Sequence, residues 1–371
     1  MKSNYKALSE LIEKIDERND DGAITELIGV SIDKCFIKSV ANTNGTDLSK
    51  YKIIRKNEFA VSLMQVSRDS KIPVARLENY EVAIMSPAYP IFRVKDTKKI
   101  LPEYLDMWFK RPEFDREAAF IAVGGVRGSM PWEEFVKMKL PVPTIEKQLK
   151  IVNSYKAITE RIALKQKIND NLEAQAQALF TLKAQDSCEM RSLGSFGTVI
   201  TGKTPSTEVP EFYGNDVPFI KTPDMHGNVY ITSSENALST LGADSQANKY
   251  LPANTVIVAC IGANAGEIAI TSFCSQTNQQ INAIISEYPC FLYFSIKAHT
   301  AELRTLGEGS STMININKTS FENYEITTLK DDDLQLLERQ LDKFFNLVLS
   351  NLQEIDKLIE TKDILLTRLS Y

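Results

Sequence analysis

Two stretches of the chain place apolar residues at alternating steps of three and four, and both lack glycine and proline. The first runs from Thr144 to Gln185, with Ile151, Tyr155, Ile158, Ile162, Leu172, Ala176 and Leu179 along one stripe. The second runs from Asp331 to Ser370, with Leu334, Leu337, Leu341, Phe344, Val348, Ile355, Leu358, Leu365 and Leu369. Where one step is missing the gap is seven, as from Val348 to Ile355, and two missing steps leave ten between Ile162 and Leu172. This is the heptad pattern of a coiled coil. A helix of about 40 residues is roughly 60 Å long at 1.5 Å per residue, far beyond the usual globular helix. A stripe of that length needs a partner, and each stretch is the economical partner for the other.

The two stripes are in register at an offset of 186 residues. Ile151 matches Leu337, Tyr155 matches Leu341, Ile158 matches Phe344, Ile162 matches Val348, Leu172 matches Leu358 and Leu179 matches Leu365. Both turn polar at the same step, Lys165 and Asn351, and a polar seam residue fixes register at some expense of stability. The segments before the helices also repeat. Glu58–Met64, a polar stretch Gln65–Lys71, and Ile72–Ala75 correspond to Thr255–Ile261, Gly262–Glu267 and Ile268–Thr271, at an offset of 197 before the polar stretch and 196 after it. Short β-branched runs separated by Gly, Pro and Asn predict strands and loops. The plan is a mixed α/β domain, a long helix, a second mixed α/β domain and a second long helix. Its boundaries fall at 1–143, 144–189, 190–328 and 329–371.

Composition narrows the picture. An apolar fraction of 43% supports sizeable cores. No apolar run reaches the roughly 18 residues of a membrane span, and the charged N-terminus lacks the apolar stretch of a secretory signal. These features point to a cytoplasmic protein without a membrane role. Cys35, Cys188, Cys260, Cys274 and Cys290 form no C-x-x-C pair and read as reduced, small buried residues. With only His226 and His299 besides, no metal site is expected. The net charge is −5, but its distribution is uneven. Residues 1–143 hold 23 Lys and Arg against 21 Asp and Glu, whereas residues 190–328 hold 7 against 12. A nucleic-acid partner would therefore have to be read in the second domain with few cations.

Catalytic signatures are weak. Gly197-Thr-Val-Ile-Thr-Gly-Lys-Thr204 fits the phosphate-loop pattern letter for letter. That chemistry needs a helix opening at the Lys-Thr pair. Pro205 follows at once, and a residue before proline is driven from helical angles, so the stretch reads as an extended polar loop. There is no Asn-Pro-Pro-aromatic or Asp-Pro-Pro-aromatic tetrapeptide of a methyltransferase. Glu267-Ile-Ala lacks the lysine of a nuclease cluster, and two isolated histidines do not suggest Ser/His/Asp chemistry.

The ordered set Ser39–Tyr51, Arg55–Ala60, Met64–Asp69, Leu140–Gln148, Leu193-Gly194, Thr201–Ser206, Val217–Asp224 and Asn278–Asn282 resembles the specificity subunit of type I restriction–modification systems. The chain departs from that pattern at Thr328–Asp333, where a proline-bearing strand end would lead into the second helix. The resemblance implies a pseudo-twofold duplicated fold, with two similar target-recognition domains separated by two long antiparallel helices forming a coiled coil. It implies a non-catalytic subunit that reads a bipartite site in double-stranded DNA, one domain per half-site. The helices would set the spacing and dock two methyltransferase subunits, which restriction subunits can join. No cofactor is expected in this chain, since S-adenosylmethionine, ATP and magnesium belong to the partner subunits.

Base reading favours Arg or Lys on guanine and Asn or Gln on adenine, with hydroxyls, cations and backbone N–H groups on phosphate. The first-domain candidates are Ser67, Arg68, Asp69 and Lys71, with Gly125 and Arg127 in a Gly-rich turn. The second-domain candidates are Thr201, Gly202, Lys203, Thr204, Lys221, Thr222, Asp224, Asn264, Gln276, Asn278, Gln279 and Gln280. The amide-rich Gln276–Gln280 run suggests adenine recognition, and equally a strand-end turn with satisfied amides. Trp108, Trp132, Tyr104 and Phe109 read as core. The alternatives are a two-domain coiled-coil scaffold for other proteins, and a nucleotide hydrolase using the Gly197–Thr204 loop.

Overall fold

The computed structural model describes residues 4–39, 47–64, 66–123, 128–186, 189–227, 229–308 and 314–370. The chain forms two compact units, Met1–Arg161 with Leu358–Tyr371, and Ile162–Lys357. The two long helices span Ile145–Ala184 and Asp331–Thr367, the second closing in a 3-10 turn at Arg368–Ser370. Three aspartates open the second helix, where the positive end of the helix dipole favours them.

Within the second unit the helices pair antiparallel. Lys165 Nζ donates to Asn351 Oδ1 at 2.7 Å and lies 2.9 Å from a Glu354 carboxylate oxygen, while Asn351 Nδ2 donates to Asn169 Oδ1 at 2.7 Å. Farther along the first helix, Ala176 and Phe180 share a core with Leu334, Leu337 and Leu341 near the start of the second. Lys165 and Asn351 are the residues that the 186-residue offset equates, and they meet each other. In an antiparallel pair of repeated helices, a residue faces its own repeat only at the centre of the pairing.

The buried stripe lies one residue from the expected seam in places. Phe180 and Phe345 are buried, whereas Leu179 and Phe344 are only half-buried. A straight helix at 3.6 residues per turn drifts from a strict heptad, and both rings are drawn onto Phe294, at 5.5 and 5.4 Å.

Asn169 Nδ2 has no partner in the seam. Asn351→Leu is therefore expected to destabilise the chain by about 1–3 kcal/mol, because it strands the Asn169 amide altogether. Adding Asn169→Leu should recover most of that loss, since replacing both partners by apolar groups is close to neutral. A urea double-mutant cycle measures the coupling. Additive losses would show that the pair is not an interacting unit.

The two heads share one frame. The first has a four-stranded antiparallel sheet in the order Ile12–Ile15, Ile91–Val94, Phe59–Val61, Val74–Arg76. The second repeats that order with Gly197–Thr201, Ile281–Ser286, Val256–Ala259 and Ile268–Thr271, and adds Tyr230–Ile231 in parallel at the edge. Asn57 and Asn254, each just ahead of its central strand, both take left-handed φ values, 68° and 63°. Asparagine tolerates that region better than most residues, and the two amides donate to Leu77 O and Thr271 O.

The near-constant offset of 196 to 197 does not hold across the hairpin. Register equates Phe59 with Val256 but Val74 with Ile268, so the first hairpin connection is three residues longer than the second. Thr328 also ends a true strand. Glu325–Thr328 pairs with Glu189–Ser192 just as Lys139–Pro141 pairs with Tyr5–Ala7, so the missing proline leaves the junction unchanged. Outside the frame the heads differ. Lys52–Arg55 pairs with Val82–Met85 in the first, while Tyr213–Ile220 pairs with Ala237–Leu238 and, in parallel, with Gln276–Thr277 in the second.

Each long helix caps a helix of its own head. Buried Gln148 accepts the Leu101 N–H with Oε1 at 2.9 Å, at the start of Pro102–Phe109, and donates to Lys99 O and Pro143 O. Buried Glu338 accepts the Cys290 and Phe291 N–H groups at 2.9 and 2.8 Å, in the first turn of Pro289–Ala298. Tyr104, Trp108 and Phe109 are buried and Trp132 is half-buried against the same core. Cys260 and Cys290 are buried, but Cys35 and Cys274 are exposed, so not every cysteine serves as a small core residue. Cys188 lies outside the described residues.

Candidate nucleic-acid interface

In each head the central hairpin connection is fastened to a second loop by the same backbone bond. Met130 N donates to Leu63 O in the first, and Ile316 N donates to Cys260 O in the second. The second head adds Gly262 N to Ile314 O. The hairpin connection and the segment that follows the Gly-rich stretch therefore form one composite edge in each head.

In the first head the expected loop holds a single helical turn, Val66–Asp69. Arg68 is exposed and its Nε donates to Asp69 Oδ1 at 2.8 Å. Lys71 is exposed and Ser67 is half-buried. Gly128, at φ 71°, packs so closely that a Cβ there would lie 2.4 Å from Ser67 Oγ. Gly125 and Arg127 lie outside the described residues. Beneath this edge, Asp115 Oδ1 accepts the Ile72 N–H at 3.0 Å and pairs with Lys34 Nζ at 2.7 Å. Lys34, itself at φ 60°, also donates to Phe109 O. Burial pushes the Lys34 ammonium below its ordinary range, while Asp115 works in the opposite direction.

In the second head, Gly197–Thr201 is a strand and Gly202–Ser206 has no regular secondary structure. The first five residues of the phosphate-loop match are thus sheet, a correction to the all-loop expectation, and no helix opens at Lys203-Thr204. Gly202 is buried against the Gln276–Gln280 turn. A Cβ on it would lie 2.1 Å from Asn278 O and 2.5 Å from Thr277 O. Lys203 is exposed, and Thr204 Oγ1 donates to Gln279 Oε1 at 2.6 Å. Thr201 Oγ1 donates to Asn282 Oδ1 at 2.6 Å.

The amide cluster divides. Gln276 is fully buried, with Nε2 on Ala243 O at 2.9 Å and Oε1 accepting from Gln246 Nε2 at 2.7 Å. It braces the turn and cannot also present its amide to a base edge. Asn278 is buried and spends its side chain on Gln280, which leaves exposed Gln279 and half-buried Gln280 at the surface. Thr222 is buried, and Asp224 is a turn former that accepts the Lys221 and Glu235 N–H groups. Asn264 is half-buried, its amide 3.4 Å from His226 Nε2, and His226 Nδ1 lies 2.7 Å from Glu267 Oε1.

The few cations are concentrated. Lys221 Nζ donates to Asn236 Oδ1 and Lys249 Nζ to Thr201 O, both at 2.9 Å and both to neutral oxygens. Lys203 follows the strand Gly197–Thr201 whose last carbonyl Lys249 holds, and Lys221 follows the strand Tyr213–Ile220. Lys249, Gln246, His226 and Arg304 were not foreseen. Their roles depend on contacts across dozens of residues, which no local pattern announces.

The repeated frame, the paired helices and the matched loop edges define a protein with two heads of one common plan. Residues 185–360 match the family model described as "Type I restriction modification DNA specificity domain". That match agrees with the resemblance seen in the sequence. The chain is 44% identical over 186 residues to the type I restriction enzyme HindI specificity subunit of Haemophilus influenzae, across 49% of this chain and 40% of that relative. It is 24% identical over 168 residues to the MjaIX specificity subunit of Methanocaldococcus jannaschii, across 43% of this chain and 38% of the relative. Each alignment thus spans less than half the relative's length. The fold is that of the type-I restriction-modification system S subunit from M. genitalium, with a TM-score of 0.64 at 14% identity over 99% of this chain and 96% of that one. Among the described residues no helix is long and apolar enough to cross a membrane.

Proposed function

We propose that this chain is the non-catalytic subunit that reads DNA sequence in a cytoplasmic type I restriction–modification complex. Each head reads one half of a bipartite duplex site. Two methyltransferase subunits, and restriction subunits where present, bring the chemistry together with S-adenosylmethionine, ATP and magnesium. The observation that carries this reading is the repeated fastening of hairpin connection to second loop, built on one frame but dressed with different side chains. A common frame with different loops suits two unlike half-sites. In the first head Arg68, Lys71 and Ser67 face outward at this edge. In the second, Lys203, Thr204, Gln279, Gln280 and Asn264 do so, with Lys221 and Lys249 adding charge.

Selection of the full chain against random-sequence duplexes is expected to enrich two short defined elements separated by a fixed unread gap. Affinity for the selected site should fall linearly with the logarithm of salt concentration. Enrichment of no sequence at all would remove the proposal.

A further inference from the structure

In both heads a charged side chain from the same frame helix reaches the hairpin connection from below. In the second head this is Arg304, on the helix Thr300–Gly307. Its Nη1 donates to Ala263 O at 3.1 Å and to Ala265 O at 2.5 Å, the two carbonyls flanking Asn264. Its aliphatic stem covers Gly266, which stands at φ 91°. A Cβ on that glycine would lie 3.5 Å from Arg304 Cγ and 2.5 Å from Thr300 Cγ2. In the first head the corresponding helix, Pro112–Ile121, supplies Asp115, which holds the Ile72 N–H directly after Lys71 and is itself held by Lys34. The polarity is reversed, with a cation on carbonyls in one head and an anion on an N–H in the other, but the target is the same connection.

We infer that Arg304 in the second head, and Asp115 with Lys34 in the first, are positioning residues that fix the reading loops, one device per half-site. One guanidinium nitrogen with two N–H groups holds both carbonyls at once and so sets the peptide plane that leads into Asn264 and the one that follows Ala265. Releasing these planes would let the Ala263–Ala265 segment turn and swing the Asn264 side chain away from a base edge, without removing any group that touches DNA. The inference rests on the DNA-reading proposal above.

The test uses the full chain and duplexes drawn from the site that the wild-type protein selects. Arg304→Ala should lose roughly 10-fold or more of the discrimination at bases of the second half-site, with first half-site preferences intact. The slope of log affinity against log salt should not change, because no phosphate contact is removed. Arg304→Lys, which keeps the charge but carries it on a different head group, should fall between the parent chain and Arg304→Ala. Asp115→Asn should relax only the first half-site. If Arg304→Ala does not fold, the Lys and Asp115→Asn variants carry the test. A uniform loss on all sequences with a shallower salt slope would make Arg304 a phosphate contact, and unchanged half-site preferences would remove the positioning role. Failure of the wild-type chain to select any bipartite site is a different result, and it bears on the DNA-reading proposal instead.

Discussion

Glu338→Ala is expected to destabilise the chain by about 2–4 kcal/mol, through two buried amide groups that lose their only cap. Cys290 and Phe291 occupy the first turn of Pro289–Ala298, where helix N–H groups have no intrahelical acceptor. Both residues are almost completely buried, so water cannot replace the carboxylate. The loss is smaller than that of two full charge-assisted bonds, because Glu338 is itself poorly solvated. Burial pushes its carboxyl above the ordinary range, and the two N–H groups only partly oppose that.

The sign of the pH effect follows. A carboxyl with a raised folded pKa binds its proton more tightly in the folded state. Its contribution is fully present below the unfolded value of 4.5 and is lost as pH rises through the raised folded value. The stability of the wild-type chain relative to Glu338→Gln should therefore increase as pH falls from neutrality toward 5. Urea unfolding of the Ala, Gln and parent chains across that range measures both effects. An Ala variant as stable as the parent would mean that the helix end is capped in some other way.

The first head shows why this device escaped the sequence. Gln148 does the same work with a neutral amide, from the first turn of its long helix, whereas Glu338 acts from a turn further along. Neither residue type nor position repeats, so no self-comparison could have paired them. The long helices, by contrast, were legible almost to the residue, because a seam with period near 3.5 and no Gly or Pro over 40 positions admits few other structures. The Lys165 and Asn351 break was legible as a repeat, though not as a mutual contact. Strand order became visible only in the structure, since the unequal hairpin connections hide the duplication from any single offset.

The candidate site was the least legible part. Gln276 and Gln279 stand three residues apart in one amide-rich run, yet one is sealed inside and the other is exposed. In a twisting strand-end turn the side-chain direction depends on what packs beneath, here Gln246 and the Ala243 carbonyl, far away in sequence.

Gly202→Ala should be the most damaging small substitution at the second head's reading edge. The methyl group would enter a space bounded by the backbone oxygens of Thr277 and Asn278. Backbone cannot rotate aside as a side chain can, and Gly202 and Lys203 are tied to Ile281 O and Thr277 O by their own N–H groups at 3.0 and 2.9 Å. The segment must move off the turn, breaking those bonds. Overpacking of this kind costs about 1–3 kcal/mol, and the displaced Lys203, Thr204 and Gln279 should lose second half-site discrimination by an order of magnitude or more.

Lys203→Ala separates the two meanings of the Gly-Lys-Thr sequence. As a phosphate contact of DNA, Lys203 should cost affinity uniformly across sequences and make the salt slope shallower by about one unit. As the lysine of a nucleotide site, it should instead abolish ATP binding by the chain alone. The glycine argues for the former. In a phosphate loop the backbone must curl around an anion ahead of a helix, whereas here Gly202 packs against a neighbouring turn and no helix opens at Lys203-Thr204. Saturable ATP binding lost in Lys203→Ala, with DNA selection unaffected in Gly202→Ala, would reverse that assignment.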